Sequence, residues 1–317
     1  MFEGIDTLDT IQIVLVVLIS VLVANYVYMR WSIGTQRRTA EMGDMEGFAN
    51  PSGPDGDTVI LGNEHLFDDF YSRVYDVIVD GGVRQKAEVM MALSYAKTVR
   101  PELKTISVLD VGSGTGDAVA NFKNEGVGKA VGLDMSDAMV AAARRKHSKG
   151  DYRVGEAEVA GQFAAGEFNL ITLFYFTYCY LHDPDAAFRN FFNWLQPGGV
   201  LVIHLVNREK FDPILEAASP FVAFSVQKYA KKRVTRSRVS FDKFDYEADF
   251  QREGDRAEFH EDFTFKSGKH RRQTHSLRMP VMETVVARAE ANGFTYKQFL
   301  DMTGVGYEYQ YLFIFVR

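Results

Sequence analysis

Five residues in the middle of the chain have types and spacing that suit binding of a nucleotide-like cofactor. Asp110, Gly112, Gly114 and Gly116 form a D-x-G-x-G-x-G segment, and Asp134 follows 18 residues after the last glycine. Glycine permits a sharp turn and lets a ligand approach the backbone closely. The later carboxylate is suited to accept hydrogen bonds from both hydroxyls of a ribose. The pattern therefore predicts a loop that wraps one end of such a ligand and an acidic residue that holds its sugar.

The spacing of these glycines separates the loop from two other nucleotide-binding loops. A dinucleotide-binding loop requires G-x-G-x-x-G, but Asp117 stands where the third glycine would be. A P-loop requires G-K-[ST], which the chain lacks. The first difference counts against a dehydrogenase, and the second excludes a P-loop.

The elements that must position this loop alternate between strands and helices. Ile106, Val108 and Leu109 form a short apolar run, typical of a buried parallel strand. Residues 64–99 have a helical pattern, which Gly81 and Gly82 interrupt. Two further strands are predicted near the C-terminus, at 295–302 and 307–317.

In this order, the glycine loop and the segments after it resemble class I S-adenosylmethionine-dependent methyltransferases. The resemblance covers roughly residues 64–208 and the C-terminal strands, with Asn169 a mild departure from the family's usual Asp. It implies strands within residues 129–139, 151–160, 168–183 and 195–207, and antiparallel pairing of the two C-terminal strands. It also implies an α/β fold with a Rossmann-like seven-stranded sheet, S-adenosylmethionine (SAM) as cofactor and S-adenosylhomocysteine (SAH) as product. The residues that it assigns to cofactor binding are Tyr75, Asp110, Gly112, Ser113, Gly114, Gly116, Asp134, Met135, Glu156 and Tyr175.

Methyl transfer from a sulfonium depends mainly on positioning and on exclusion of water, so its catalytic residues leave a weak sequence signal. The candidates are Tyr71, on the helix that covers the cofactor in this family, and Tyr178 and His182, which follow the fourth strand. His182 is the preferred base where the acceptor must lose a proton, and a packing role is the alternative for each. His204 lies inside the fifth strand and is predicted to be a core histidine. No histidine or acidic cluster has metal-ligand spacing, so no metal site is predicted.

Residues 209–278 form an insertion between the fifth strand and the C-terminal helix. Apolar and polar residues alternate over 239–278, which predicts three or four antiparallel strands. Methyltransferases of the glycine and sarcosine N-methylating type look similar in this respect. Basic clusters at 228–238 and 266–272 are interpreted as solvated surface, as a patch for anionic lipid headgroups, or as a contact for an acidic substrate or nucleic acid, although no nucleic-acid signature is present.

An uncharged apolar run occupies residues 11–29. As a helix it would be about 28 Å long, which matches the hydrocarbon core of a bilayer. A buried core helix and a cleaved signal peptide are the alternatives. A signal peptide needs a positive start, whereas Glu3, Asp6 and Asp9 precede this run. The run is therefore predicted to be a transmembrane anchor.

The charges beside this run predict its orientation. Arg30, Arg37 and Arg38 follow the run, and no Lys or Arg precedes it. The positive-inside rule then predicts a single-pass membrane protein whose catalytic domain faces the cytoplasm. The predicted domains are an anchor at 1–31, a flexible linker at 32–63 and a methyltransferase domain at 64–317, with the insertion at 209–278.

The composition limits the remaining classes of function. The chain has 317 residues, of which 46% are hydrophobic and 25% charged, and a formal net charge of -6. That charge gives no general attraction to nucleic acid, and the single Cys179 excludes an internal disulfide framework and a thiolate zinc site. The leading hypothesis is methyl transfer to a small-molecule or lipid acceptor. The alternatives are a protein methyltransferase and a non-catalytic scaffold that keeps the SAM-binding fold.

Overall fold

The structure is a computed structural model that describes residues 57–79, 82–214 and 232–317, together with Ser20, Gln227 and Ala230. The chain divides into two units, residues 1–51 and 52–317, and all the described residues except Ser20 belong to the second. Apart from Ser20, the predicted span at 11–29 lies outside the described residues. Within the described residues, no helix has the length and apolar character needed to cross a membrane.

Two β-sheets and six α-helices organise the described part of the second unit. The strands are β1 (Thr58–Leu61), β2 (Ser107–Val111), β3 (Lys129–Asp134), β4 (Asp151–Val154), β5 (Phe168–Leu173), β6 (Leu195–Val206), β7 (Arg236–Ser240), β8 (Phe244–Glu253), β9 (Arg256–Phe265), β10 (His270–Arg278), β11 (Thr295–Asp301) and β12 (Gln310–Val316). The helices are α1 (Asp69–Val79), α2 (Gly82–Val99), α3 (Asp117–Asn124), α4 (Asp137–Lys146), α5 (Pro184–Trp194) and α6 (Met282–Ala291).

The central sheet has seven strands in the order β11-β12-β6-β5-β2-β3-β4. Strands β2 to β6 pair in parallel, whereas β12 runs antiparallel to both β6 and β11. All six residues of β5 are buried, as expected for a strand with helices on both faces. The Rossmann-like α/β fold predicted from the glycine loop and the strands around it is therefore confirmed.

Neighbouring side chains of β2 pack in two different hydrophobic cores. Leu109 packs in a cluster with Phe188 and Trp194 of α5, on one face of the sheet. Val108 packs in a second cluster with Phe122 of α3, on the opposite face. Because successive side chains of a strand point to opposite faces, a continuous apolar run is what a sheet with two covered faces requires.

The second sheet, named here the cap sheet, has the strand order β1-β10-β9-β8-β7. Strands β7 to β10 pair antiparallel with their neighbours, in agreement with the alternating pattern of residues 239–278. Strand β1 adds a parallel edge strand to β10, so the sheet takes in residues that the sequence assigned to the linker. Asn63 extends this attachment, since its side chain exchanges two hydrogen bonds with the backbone of Ser276, at 2.7 and 2.9 Å.

Acidic partners occupy much of the basic surface of the cap sheet. Cross-strand neighbours supply the partners, in the pairs Arg236–Asp249, Arg238–Glu247 and Arg272–Asp262. Among the described residues of the two clusters, these pairs support the interpretation as solvated surface rather than as an open anion-binding patch.

Candidate active site

A cavity of about 280 Å³ lies where the carboxyl ends of β2, β3 and β5 face the cap sheet. Its wall comes from the glycine loop after β2, from α1 and α2, from the segment after β5, and from β8 to β10. The sequence-predicted site residues that line it are Tyr71, Tyr75, Asp110, Gly112, Ser113, Gly114, Asp134, Met135, Glu156, Tyr175 and His182. Gly116 and Tyr178 are not part of the wall.

The glycine loop is held against β3 by backbone hydrogen bonds. The amides of Gly112 and Ser113 both donate to the carbonyl of Leu133, at 2.8 and 3.1 Å. Gly112 has φ +69°, and a Cβ there would lie 2.5 Å from the hydroxyl oxygen of Thr177. A Cβ on Gly114 would instead meet nothing closer than the Tyr75 ring, at 3.9 Å. The loop is therefore packed tightly at its first glycine and leaves open space at its second, where the cavity begins.

Asp134 fixes the end of β3 beside this loop. One of its carboxylate oxygens accepts a hydrogen bond from the backbone of Gly114 at 2.8 Å, and the other accepts one from Ser136 at 2.9 Å. Burial raises the pKa of Asp134, although these two hydrogen bonds act in the opposite direction. The carboxylate borders the cavity in a fixed orientation, which suits recognition of a diol.

Three carboxyl groups line the cavity around the glycine loop: Glu88 and Asp110, which are buried, and Asp134, which is half-buried. Asp110 accepts a hydrogen bond from the hydroxyl of Thr172 at 2.7 Å. Burial raises the pKa of Asp110 to about 7, and the charges of Glu88 and Asp134 add to this rise against the Thr172 hydrogen bond. So many acidic groups around one cavity favour a ligand that carries positive charge.

A polar network supports the wall behind the glycine loop. The guanidinium of Arg84 lies over the Tyr175 ring, 3.7 Å from its centroid, and Arg84 Nε is 3.7 Å from Glu88 Oε2. His204, predicted to be a core histidine, is buried with Nδ1 2.5 Å from Glu88 Oε1 and Nε2 3.0 Å from Gln310 Oε1. Glu88 Oε2 makes no hydrogen bond within the described residues and faces Arg84.

The cap sheet contributes a second set of buried polar groups, which the sequence did not single out. Glu261 Oε1 accepts hydrogen bonds from the hydroxyls of Tyr71 and Tyr246, at 3.0 and 2.5 Å. Glu261 Oε2 lies 2.6 Å from both Gln273 Nε2 and His275 Nε2. Burial alone would raise the pKa of Glu261, but His275 and these hydrogen bonds hold it below the ordinary value. These surroundings therefore favour the ionised form of Glu261 inside the protein.

The three predicted catalytic residues have different positions. Tyr71 lies in the wall and binds Glu261. His182 is exposed at the rim, where its backbone amide donates to Glu158 at 2.8 Å. Tyr178 does not reach the cavity, because its ring packs on Phe188 in the core, with 6.2 Å between centroids. Tyr180 borders the cavity instead, with its hydroxyl 2.7 Å from His275 Nδ1.

The described residues contain no group of three or more His, Cys, Asp or Glu side chains placed to hold a metal ion. Several polar groups of the cavity, among them Asp110, Asp134 and Glu261, are instead hydrogen-bonded to other side chains or to the backbone. What the arrangement offers is a glycine-lined, acidic half for a cationic nucleotide-like ligand and an aromatic half with a carboxylate–imidazole pair.

The chain is similar in sequence to proteins that carry methyltransferase names. The family model described as a methyltransferase domain matches residues 84–265. The ubiquinone/menaquinone biosynthesis C-methyltransferase UbiE of Shewanella woodyi is 30% identical over 151 residues, which are 45% of this chain. The match spans 58% of that relative's own length.

Solved structures share the fold. CalS10, an amino pentose methyltransferase from Micromonospora echinaspora with SAM bound, has a TM-score of 0.56 at 20% identity, over 81% of this chain and 100% of that one. The sugar N-methyltransferase KedS8 from Streptoalloteichus has a TM-score of 0.54 at 25% identity, over 73% of this chain and 87% of that one. The arrangement of the central sheet is thus found in other proteins at low sequence identity.

Proposed function

Because the chain belongs to the methyltransferase-domain family, with SAM as its cofactor, we propose that it transfers the methyl group of SAM to a small molecule. The acceptor is held in the aromatic half of the cavity, against the cap sheet. The carboxyl edge of the parallel strands is where open α/β sheets bind their ligands, and the glycine loop occupies that edge.

The observation that carries this proposal is the acidic cluster of Glu88, Asp110 and Asp134 around the glycine loop. SAM has a positive sulfonium and a positive ammonium group, and carboxylates close to them stabilise both. A dinucleotide instead has a diphosphate, which the same carboxylates repel. The charge of the cavity therefore supports SAM over NAD, in agreement with Asp117 at the third glycine position.

The residues of the cavity fit SAM at two places. Asp134 is oriented to accept hydrogen bonds from the ribose hydroxyls, and Arg84 and Glu88 together complement a zwitterionic amino acid group. The two side chains carry opposite charges and lie together in the wall of the cavity. When bound, SAM supplies a methyl group that its sulfonium has already activated. The protein's own part is to align the acceptor with that methyl group and to exclude water.

The aromatic half of the cavity supports a small acceptor. Its wall includes Tyr71, Tyr180 and Phe259, and the cap sheet covers it. Aromatic rings exclude water and interact favourably with a nearby cation such as a sulfonium. The names of the relatives refer to quinone biosynthesis and to sugars, which also favours a small acceptor. A lipid acceptor depends on the predicted anchor at 11–29, which remains a prediction.

Calorimetric titration of the full chain with SAM, SAH and NADH tests this proposal. We expect SAM and SAH to bind and NADH to give no saturable heat. Binding of NADH alone would contradict the charge argument. Failure of a folded chain to bind either SAM or SAH would support the scaffold hypothesis instead.

A further inference from the structure

The chain of hydrogen bonds from the cavity into the cap sheet has the components of a proton acceptor. Tyr180 Oη lies 2.7 Å from His275 Nδ1, and His275 Nε2 lies 2.6 Å from Glu261 Oε2. All three residues line the cavity, and His275 and Glu261 are only 3% and 2% exposed. A buried imidazole between a phenol and an ionised carboxylate is held in one tautomer, because each nitrogen has its own partner.

The partners of Glu261 determine that tautomer. Its two oxygens already accept hydrogen bonds from Tyr71, Tyr246 and Gln273, so the carboxylate is fully oriented. With Nε2–H donating to Glu261, His275 Nδ1 is left as the acceptor for the Tyr180 hydroxyl. Burial raises the pKa of Tyr180 well above its ordinary value, so Tyr180 keeps its proton until another group replaces it.

Resting on the proposed methyl transfer, we propose that Tyr180, His275 and Glu261 remove a proton from a hydroxyl group of the acceptor, which is a neutral phenol or enol. The acceptor gives its proton to Tyr180 Oη while the Tyr180 proton moves to His275 Nδ1, and Glu261 stabilises the imidazolium. The acceptor oxygen then bonds to the methyl carbon, the carbon–sulfur bond breaks, and its electron pair stays on sulfur. The proton on His275 returns through Tyr180 to water after the product leaves.

The charges of the cavity favour a neutral hydroxyl over a cationic amine as the acceptor. An ammonium ion would lie close to the sulfonium, and Glu261 has no oxygen left to receive it, since four donors occupy this carboxylate. Desolvating a cation without a partner is costly. A phenol remains neutral on entry and becomes negative only beside the sulfonium. Apolar groups around this end of the cavity are Phe67, Phe176, Phe250, Phe259 and Leu277.

Tyr180 is the catalytic residue in this scheme, because it touches the acceptor. His275 and Glu261 act through Tyr180, so their test needs a readout that a purely structural role would not change. The ionisation of a bound phenol is such a readout, because phenol and phenolate forms of 4-nitrophenol absorb at different wavelengths. It requires no turnover and no knowledge of the natural acceptor.

The experiment titrates 4-nitrophenol into the full chain saturated with SAH, at a pH where the free phenol is mostly neutral. We expect the ratio of phenolate to phenol to be about tenfold higher in the bound state, the factor that one charge-assisted hydrogen bond supplies. His275→Gln and Tyr180→Phe should each lose this excess. His260→Gln is the matched control, because His260 lies on β9 of the same sheet and bonds Thr274, outside the cavity wall.

Each outcome separates this inference from the proposed function. SAH affinity, measured by calorimetry, must be equal in the wild type and the variants, which shows that each is folded. A wild type that binds SAH but holds 4-nitrophenol as the neutral phenol, or does not bind it, contradicts the inference alone. The same holds if both His275→Gln and Tyr180→Phe retain the phenolate band. A wild type that does not bind SAH contradicts the proposed function itself.

Discussion

The carboxylate of Asp134 accepts a hydrogen bond from the backbone amide of Gly114 at 2.8 Å, across 20 residues of sequence. This bond joins the end of β3 to the glycine loop after β2. The second carboxylate oxygen of Asp134 accepts a hydrogen bond from the backbone of Ser136, the residue that caps α4. One side chain therefore orders both segments that the cofactor would contact.

Replacing this carboxylate should weaken SAM binding strongly. Asp134→Ala removes the acceptor for the ribose hydroxyls and frees the glycine loop, and we expect about 100-fold lower affinity for SAM by calorimetry. Asp137→Ala is the control, because Asp137 is exposed in the first turn of α4. Equal affinities for the Asp134 variant and the wild type would remove Asp134 from the binding site.

Two features require glycine at position 112: its positive φ and the close approach of the Thr177 side chain. Gly112 and Gly126 both have positive φ, but only at Gly112 would a Cβ collide with another group, the Thr177 side chain. In urea unfolding, we expect Gly126→Ala to lower the free energy of unfolding by about 1–2 kcal/mol through strain alone. Gly112→Ala should lower it by roughly 2–5 kcal/mol, because overpacking adds to the strain. Equal losses would show that the Thr177 contact relaxes without cost.

The raised pKa of Asp110 should make stability depend on pH. Its pKa rises from 3.8 in the unfolded chain to about 7 in the fold, so the folded state holds the proton more tightly. The stability that this group contributes is complete below pH 3.8 and is lost as pH rises to about 7. In the wild type, this group alone should lower the free energy of unfolding by about 4 kcal/mol between the two pH values. Asp110→Asn should abolish that decrease, as measured by urea unfolding at a series of pH values.

The same group should link SAM binding to pH. A cation in the cavity favours the ionised form of Asp110, so we expect the affinity for SAM to increase as pH rises through about 7. Calorimetry at several pH values should show this increase in the wild type and a smaller one in Asp110→Asn. An identical pH profile for the two proteins would mean that Asp110 keeps its proton when SAM binds.

Two adjacent arginines on β10 should differ in their contribution to stability. Arg271 is buried, binds Asp68 through two nitrogens at 2.7 and 3.1 Å, and lies over the Phe70 ring. We expect Arg271→Lys to lower the free energy of unfolding by about 2–4 kcal/mol, since lysine cannot make the bidentate contact. Arg272 is half exposed and binds Asp262, so Arg272→Lys should cost at most about 1 kcal/mol. Similar urea midpoints for both variants would contradict this difference.

The glycine loop was predictable because its parts are adjacent in sequence. Asp110 to Gly116 form one continuous segment, and Asp134 ends the next strand along the chain. Strands β2 and β5 were predictable for a related reason, since each is a short and largely apolar run. The pairing of β12 between β6 and β11 came only from the family resemblance, as no local pattern specifies it.

The polar groups of the cap sheet were not predictable in the same way. Glu261 and His275 come together through the pairing of β9 with β10, in which His275 is opposite Phe259. Tyr180 reaches His275 from the 3-10 turn after β5. A weak signal was present: Glu261 stands between Phe259 and Phe263 at alternating positions, so a carboxylate lies on the apolar face of its strand. An ion on such a face needs buried partners, which is what the structure supplies.

Tyr180 lies at the cavity in place of the predicted Tyr178, and the cause is local. Residues Thr177–Tyr180 form one turn of 3-10 helix, not a continuation of β5. At three residues per turn, neighbours two positions apart point in different directions. Tyr178 therefore enters the core and Tyr180 the cavity, a difference that depends on the turn and not on the type of residue.

Strand β12 has a consequence for the order in which the protein is made. About a hundred residues separate it from β6, so at roughly 5–20 residues per second the ribosome needs several seconds to supply it. Throughout that interval β6 presents an open hydrogen-bonding edge, which is a template for pairing with other nascent chains. The cavity also lacks Gln310, its wall residue from β12, until then. The newly made polypeptide therefore passes through a stage in which this edge is open and the wall of the cavity is incomplete.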